Sequence, residues 1–352
     1  MPYRNYASIF LAIIIQSLIF FTQILYIAKP NQYQSEEMKE PLVSVVTPVY
    51  NSENFFEQCI ESVLNQSYQN WEYIIVDDCS TDGTVEIAKY FADLDIRIKL
   101  HVNDENLGHF GNGNYVFTLM SDDSKYCKVI HADDWMFSDC LTKMVEVAEE
   151  YPKVGIVSSY RLDGNNVGLD GLPYPSNHIP GKEIARNYLL HGTYYFGSPS
   201  SLLIRSDLLK KRKSIYNPKH LHSDGAACLD FLTESDFGFV HQVLTYTRRH
   251  DESVTSRLAL KYHSHRLGPL QHMIDYGPFF LTDEEYLNRL KALVEFNHRE
   301  LAKDIVRLRS KELFMYHYYR LKEMNIKIRP FKLLFSMLLH IYSYIHNKFR
   351  VY

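Results

Sequence analysis

The chain has 352 residues, 46 % of them hydrophobic and 23 % charged, the proportions of an ordinary globular protein with room for one large domain or two smaller ones. A formal net charge of −4 argues against broad nucleic-acid binding. Five scattered cysteines, odd in number and without CxxC spacing, point to reduced thiols in a cytosolic compartment and away from a zinc site.

From Tyr6 to Ala28 the chain carries no charge, which is long enough to cross a hydrocarbon core of roughly 30 Å once. No small-residue cleavage site follows, so residues 1–40 read as a hydrophobic anchor helix and a polar linker. Met38 would itself make a natural start, which leaves the anchor open to being an over-extended reading frame. From residue 42 the pattern alternates. LVSVVT (42–47), WEYIIVDD (71–78), IRIKLHV (96–102), KVIH (128–131) and VGIVSSY (154–160) have the β-branched character of strands. The stretches 55–65, 84–91 and 141–150 have helical spacing. Strands separated by helices of this length predict an α/β fold with a mainly parallel sheet flanked by helices. In such sheets ligands bind beyond the carboxyl ends of the strands.

Residues 162–180 are rich in Gly, Asn and Pro and read as a long functional loop. SSLLIRS (200–206), a helical stretch near Gly225 and FGFVHQVLTYTRRH (237–250) extend the same domain to about residue 260. Residues 261–352 read as a helical C-terminal extension. Thr282 and Glu285 have capping-box spacing at the start of a long helical run toward Lys322. After Pro330, a basic, aromatic-rich tail suits either a helix lying in a membrane interface or one packed on the core.

Three stretches carry chemistry. TPVYN (47–51) closes the first strand without the glycines of a dinucleotide or phosphate loop, and its Pro and Tyr make a stiff aromatic lip. VDDCSTDGT (76–84) ends the second strand with carboxylates that can accept hydrogen bonds from a base or a ribose. VIHADDW (129–135) runs an apolar strand into Asp133 and Asp134. Adjacent carboxylates repel unless solvent or a cation meets them. Asp122-Asp123 (121–124, SDDS) is the same pair in a polar turn with no such strand before it.

TPVYN, VDDCSTDGT, NLG (106–108) and ADD (132–134), in that order and spacing, resemble the family 2 glycosyltransferases over about residues 42–257. The resemblance implies the GT-A fold of nucleotide-diphospho-sugar transferases. It implies Pro48, Tyr50 and Asp78 at the nucleobase, Asn106 and Asn114 on the donor side, and Asp133 and Asp134 on a divalent cation, Mg²⁺ or Mn²⁺, bridging the sugar diphosphate. His131 stands where the family commonly has Asp, and an imidazole still ligates metals. Gly113 stands where it often has Arg, so Arg248 or Arg249 becomes a candidate for that contact. His250 is a candidate third metal ligand beside the bland reading of a satisfied polar residue. The family places its base after a Gly-x-Pro-x-Ser loop, matched by Gly197–Ser201, which makes Asp224 the candidate base with Asp230 and Asp236 as rivals.

The expected function is therefore inverting transfer from a nucleotide-diphosphate sugar, with UDP the favoured nucleotide, to a glycan or lipid-linked acceptor in cell-surface glycan synthesis. The placement expected is a single N-terminal membrane span with the catalytic domain in the cytoplasm. A sugar nucleotidyltransferase lacks its glycine- and lysine-rich loop here, while a catalytically silent nucleotide-binding membrane scaffold stays open because of His131. Adjacent acids cannot straddle a glycosidic bond at roughly 5–9 Å, which argues against a glycoside hydrolase.

Overall fold

Strand β1 (Val43–Val49) lies at the centre of the first half of the sheet, and its alternation explains the layers. Val43, Val45 and Val49 face helices α1 (Phe56–Leu64), α2 (Thr84–Leu94) and α4 (Cys140–Glu150); Val46 faces the other way. Both faces are covered, so the strand reads as an almost unbroken apolar run. The computed structural model describes residues 40–218, 222–250 and 261–349.

The other strands are β2 (Trp71–Asp77), β3 (Ile98–Val102), β4 (Tyr126–Val129), β5 (Trp135–Met136), β6 (Val154–Asp163), β7 (Asn166–Gly168), β8 (His178–Ile179), β9 (Leu203–Arg205) and β10 (Asp236–Thr247). Among the described residues they form one sheet in the order β3-β2-β1-β4-β9-β6-β10-β5, with β7 on β6 and β8 on β10. β1, β2, β3 and β4 pair in parallel, as do β6 and β10. β9 runs antiparallel to both β4 and β6. The sheet is therefore mixed, where the sequence predicts mainly parallel pairing. Ser198 and Pro199 lie at the cleft beyond the strand ends, so the chain enters β9 from that side and must run back down the sheet.

The remaining helices are α3 (Gly108–Tyr115), α5 (Gly181–His191), α6 (Ser206–Lys210), α7 (Ser223–Phe231), α8 (Leu267–Phe280), α9 (Asp283–Leu308), α10 (Lys311–Glu323) and α11 (Pro330–Phe349). The segment 162–180 is not one loop: β6 runs on to Asp163 and turns back into β7. The helical run from Thr282 is two helices. It breaks where Arg309 takes a left-handed φ of 49° and Ser310 caps the next helix by accepting from Leu313 N. Residues 41–352 form one compact unit, and Leu267, Leu270, Met273, Phe280, Leu293 and Leu321 of the extension share a core cluster with Val46, Ile74 and Val76 of the sheet.

The expected single N-terminal span is corrected. No helix among the described residues is long and apolar enough to cross a membrane, and the apolar stretch 6–28 lies outside the described residues. α11 contains Lys332, His340 and His346, charged or polar groups that a hydrocarbon core disfavours. It packs through Leu333 onto Leu301, Ala302 and Leu313, while Phe331, Leu334, Phe335 and Tyr342 stay exposed.

The capping box at Thr282 is present: its hydroxyl accepts from Glu285 N, and Glu285 Oε2 accepts from Thr282 N at 2.9 Å. Glu285 also pairs with Arg186 of α5 at 2.6 Å. Replacing Thr282 with Ala is expected to cost about 1 kcal/mol in denaturant unfolding. The Arg186 guanidinium, helped by the Thr282 amide and hydroxyl, holds the Glu285 carboxyl down from 4.5 to about 2. A depressed carboxyl stabilises the fold above its unfolded pKa and loses that contribution as pH falls toward the folded value. The loss of stability between about pH 4.5 and 2 should be smaller in Arg186→Ala, measured by thermal melts across that range.

Candidate active site

The carboxyl ends of β1, β2 and β4 open into a cleft of about 870 Å³, within the roughly 300–1,000 Å³ of small-molecule sites. Pro48, Tyr50, Asp78, Asn106, His131, Asp133, Asp134, Asp224 and His250 all line it. Residues predicted from six separate stretches are thus brought together. Asn114 is the exception.

The lip after β1 is laced to the loop after β2. Asn51, at φ 47°, accepts from Thr81 N at 2.8 Å, and its own amide donates to Ser80 Oγ at 2.9 Å. Glu53 Oε2 accepts from Gly83 N, and Asp82 accepts from Glu53 N and from Thr84 N and Oγ1. Tyr50 is left half exposed at the rim. Asp78 is buried, and its carboxylate accepts from Asn103 Nδ2, Leu107 N and Gly108 N at 2.7–2.8 Å. Asn106 Nδ2 donates to Asp78 O at 2.8 Å. These bonds fold the NLG turn, whose Gly108 takes a φ of +74° that suits glycine. Asp78 and Asn106 therefore spend most of their polar atoms on shaping the wall.

The HADD turn closes by Asp134 N donating to His131 O at 3.0 Å. Asp134 points inward, where Arg248 N donates to Oδ1 at 3.0 Å, and the nearby Ser200 hydroxyl accepts from His131 N at 3.1 Å. Burial, then the neighbouring charge of Asp133, pushes its carboxyl up to about 6. Asp133 stays more open, and its Oδ2 meets His250 Nε2 at 2.9 Å. Arg248 is committed below the turn, donating to Asp133 O and Gln58 and lying over Phe55 at 4.5 Å. Arg249 pairs with Asp163.

Of the three candidate bases, Asp230 pairs with Arg212, and Asp236 accepts from Gly181 N and meets His178. Asp224, in the first turn of α7, lines the cleft, and nothing among the described residues hydrogen-bonds its carboxylate. Burial and then the charge of Asp224 raise the Tyr188, Tyr194 and Tyr216 hydroxyls.

Sequence reasoning missed three groups. His109 stands 6.0 Å from the His131 ring and shares the cleft; its place just after the NLG glycine was the available signal. Tyr216 takes the space over Gly113, where an added Cβ would come within 3.2 Å of the ring. The Ser198 and Ser223 hydroxyls are buried at the cleft without partners among the described residues. Asn114 does not line the cleft: its Oδ1 accepts from Ile215 N and Tyr216 N, and its Nδ2 donates to Tyr216 O at 2.7 Å.

A model of the family described as Glycosyl transferase family 2 matches residues 44–212. The glycosyltransferase EpsE of Bacillus subtilis (strain 168) is 32 % identical over 227 residues, 63 % of this chain and 78 % of EpsE. The chain belongs to glycosyl transferase family 2. TuaG of the same organism, named for teichuronic acid biosynthesis, is 37 % identical over 134 residues, 38 % of this chain, and the match spans about half (51 %) of TuaG. Among solved structures, S. aureus TarS 1–349 in complex with UDP has a TM-score of 0.55 at 18 % identity, covering 79 % of this chain and 78 % of that one. That likeness is one of fold.

The divalent cation implied by a family 2 site can be tested on the donors present. Among the described residues no group of three or more His, Cys, Asp or Glu is arranged to hold a metal ion. Asp134 accepts from Arg248 N, while Asp133 and His250 meet each other. The chemistry of the pair nevertheless fits: two adjacent carboxylates, one pushed up by burial and by its neighbour, are short of positive charge. Mg²⁺ and Mn²⁺ sites commonly take one or two carboxylates and complete themselves with phosphate and water.

Because Asn114 holds the 215–216 backbone and does not line the cleft, Asn114→Ala is expected to cost about 1–3 kcal/mol of stability by leaving two amides and a carbonyl unpaired. UDP affinity by calorimetry should change less than about twofold. A large fall in affinity at unchanged stability would return Asn114 to the donor site.

Proposed function

We propose that this family 2 chain moves a sugar from a nucleoside-diphosphate donor, with UDP as the nucleotide, to a hydroxyl of a glycan or lipid-linked acceptor, with inversion, in building a cell-surface polysaccharide. One observation carries the reading: of the candidate acids after the Gly197–Ser201 loop, Asp224 alone lines the cleft and keeps a carboxylate without donors among the described residues. TarS, a neighbour in fold, has been solved with UDP and with UDP-GlcNAc, which supports the nucleotide, and TuaG is named for teichuronic acid biosynthesis, which supports the surface-glycan context.

The donor lies between the Pro48–Tyr50 lip and the wall folded by Asp78 and Asn106, with its diphosphate toward Asp133. Asp224 accepts the acceptor hydroxyl proton as that oxygen forms its bond to the anomeric carbon. The bond to the diphosphate oxygen breaks, and its electron pair leaves with the diphosphate. Ser198 and Ser223, whose hydroxyls lack partners at the cleft, orient the acceptor's neighbouring hydroxyls. Asp133 and His250 would hold a divalent cation, which would supply positive charge against the diphosphate.

Two measurements test this. Asp133→Asn should lower manganese-dependent UDP affinity at least tenfold in calorimetry, whereas Asp122→Asn, in the exposed turn, should leave it within twofold. Equal effects would remove Asp133 from the donor site. Asp224→Asn should keep UDP affinity and cut sugar transfer by about 10²–10⁴, the usual contribution of an acid–base group. Near-normal turnover in Asp224→Asn with a dead Asp230→Asn or Asp236→Asn would move the base.

A further inference from the structure

The segment that presents Asp224 is held from outside the sheet. His222, two residues before it, is the N-cap of α7. Its carbonyl accepts from Ala226 N at 3.4 Å, a long first helical bond, and from His272 Nε2 at 2.9 Å, a short one. A carbonyl only accepts, so Nε2 carries the imidazole proton and Nδ1 carries a lone pair. Tyr188 Oη lies 2.7 Å from Nδ1, so the phenol donates there. His272 and Tyr188 are both buried, at 3 % and 5 % exposure.

Glycines make this contact possible. A Cβ at Gly225, next to Asp224, would come within 2.8 Å of His272 Cε1, and one at Gly268 within 2.9 Å of His222 Cδ2. Burial lowers the His272 pKa and keeps the ring neutral, as this pattern requires.

We propose that Tyr188 and His272 form a buried positioning relay that fixes the start of α7, and with it the direction of the Asp224 carboxylate, so that helix α8 of the C-terminal extension is part of the active site. The relay rests on the reading of Asp224 as the base. It touches no substrate. It sets where the base points, and a displacement of about 1 Å at a reacting group can cost about 10²-fold in rate.

The test compares His272→Phe, His272→Gln and Tyr188→Phe in the full chain. Folding is checked by circular dichroism and UDP affinity by calorimetry. UDP release from UDP-GlcNAc, UDP-glucose or UDP-galactose, whichever the wild type turns over fastest, gives kcat. His272→Phe should lower kcat about 10–100-fold with UDP affinity within about twofold. His272→Gln, which can donate and accept, should recover most of that loss. Tyr188→Phe deletes one hydroxyl, keeps the ring and gives a smaller loss in kcat alone, and it carries the test if His272→Phe fails to fold. In an Asp224→Asn background both Phe variants should change the residual rate less than about twofold, whereas a general structural role would add its full cost there. If Asp224→Asn is inactive while both Phe variants turn over like the wild type, or lose kcat and UDP affinity together, the relay is wrong and the base stands. If Asp224→Asn itself turns over normally, the base reading fails first.

Discussion

The mouth of the cleft depends on one buried carboxylate. Asp134 closes the HADD turn through its own amide, takes the Arg248 amide on one oxygen, and lies beside the Ser200 hydroxyl, which accepts from His131 N at 3.1 Å. Three segments that are distant in sequence, after β4, before β9 and after β10, are thereby tied together at one turn. Ser200 is held from beneath: the Lys128 amine, fully buried in β4 and lowered in pKa by that burial, donates to its carbonyl at 2.6 Å. Burying such a polar group costs free energy unless it is hydrogen-bonded. Such groups persist where position matters more than stability. With Asp134 turned inward, Asp133 is the member of the pair left facing the cleft.

A second knot shapes the opposite wall. Asp78 gathers Asn103, Leu107 and Gly108, and Asn112 donates to Val76 O at 2.9 Å. This wall of the cleft is therefore set largely by backbone position, and Asp78 and Asn106 help to build it. The same logic explains Gly113. An arginine there would displace Tyr216, and Asn114 fixes the backbone on which Tyr216 sits. Gly113, Asn114 and Tyr216 thus form one unit.

This also shows what the sequence reveals and what it hides. The first four strands, the HADD turn and the Thr282 capping box are local patterns, a period of two or a cap at fixed spacing, and they are legible in one pass. β9 is three residues long, and its direction follows from where the preceding loop sits, which no local pattern encodes. The break at Arg309 is a single left-handed residue inside an amphipathic run. Asn114 sits in the right motif but serves the fold, because its partners lie about a hundred residues downstream. His109 and Tyr216 enter the cleft only through the placement of α3 and of the segment before α7. The expected membrane placement rested on a stretch outside the described residues, and no described helix supports a span.

The boundary drawn near residue 260 marks a real change of character, from alternating strands to helices, yet the physics crosses it. α8 buries Leu267, Leu270, Met273 and Phe280 in the same cluster as the sheet, and α9 is tied to α5 through Arg186 and Glu285. A helical layer bound this way covers one face of the sheet as α1, α2 and α4 cover the other. At Gly225 and Gly268 missing side chains let an imidazole of this layer and the start of α7 meet. Placing a carboxylate that must stay free of donors requires its neighbours to be held by something else. In this chain the C-terminal helices supply that support, and the alternating half supplies the cleft.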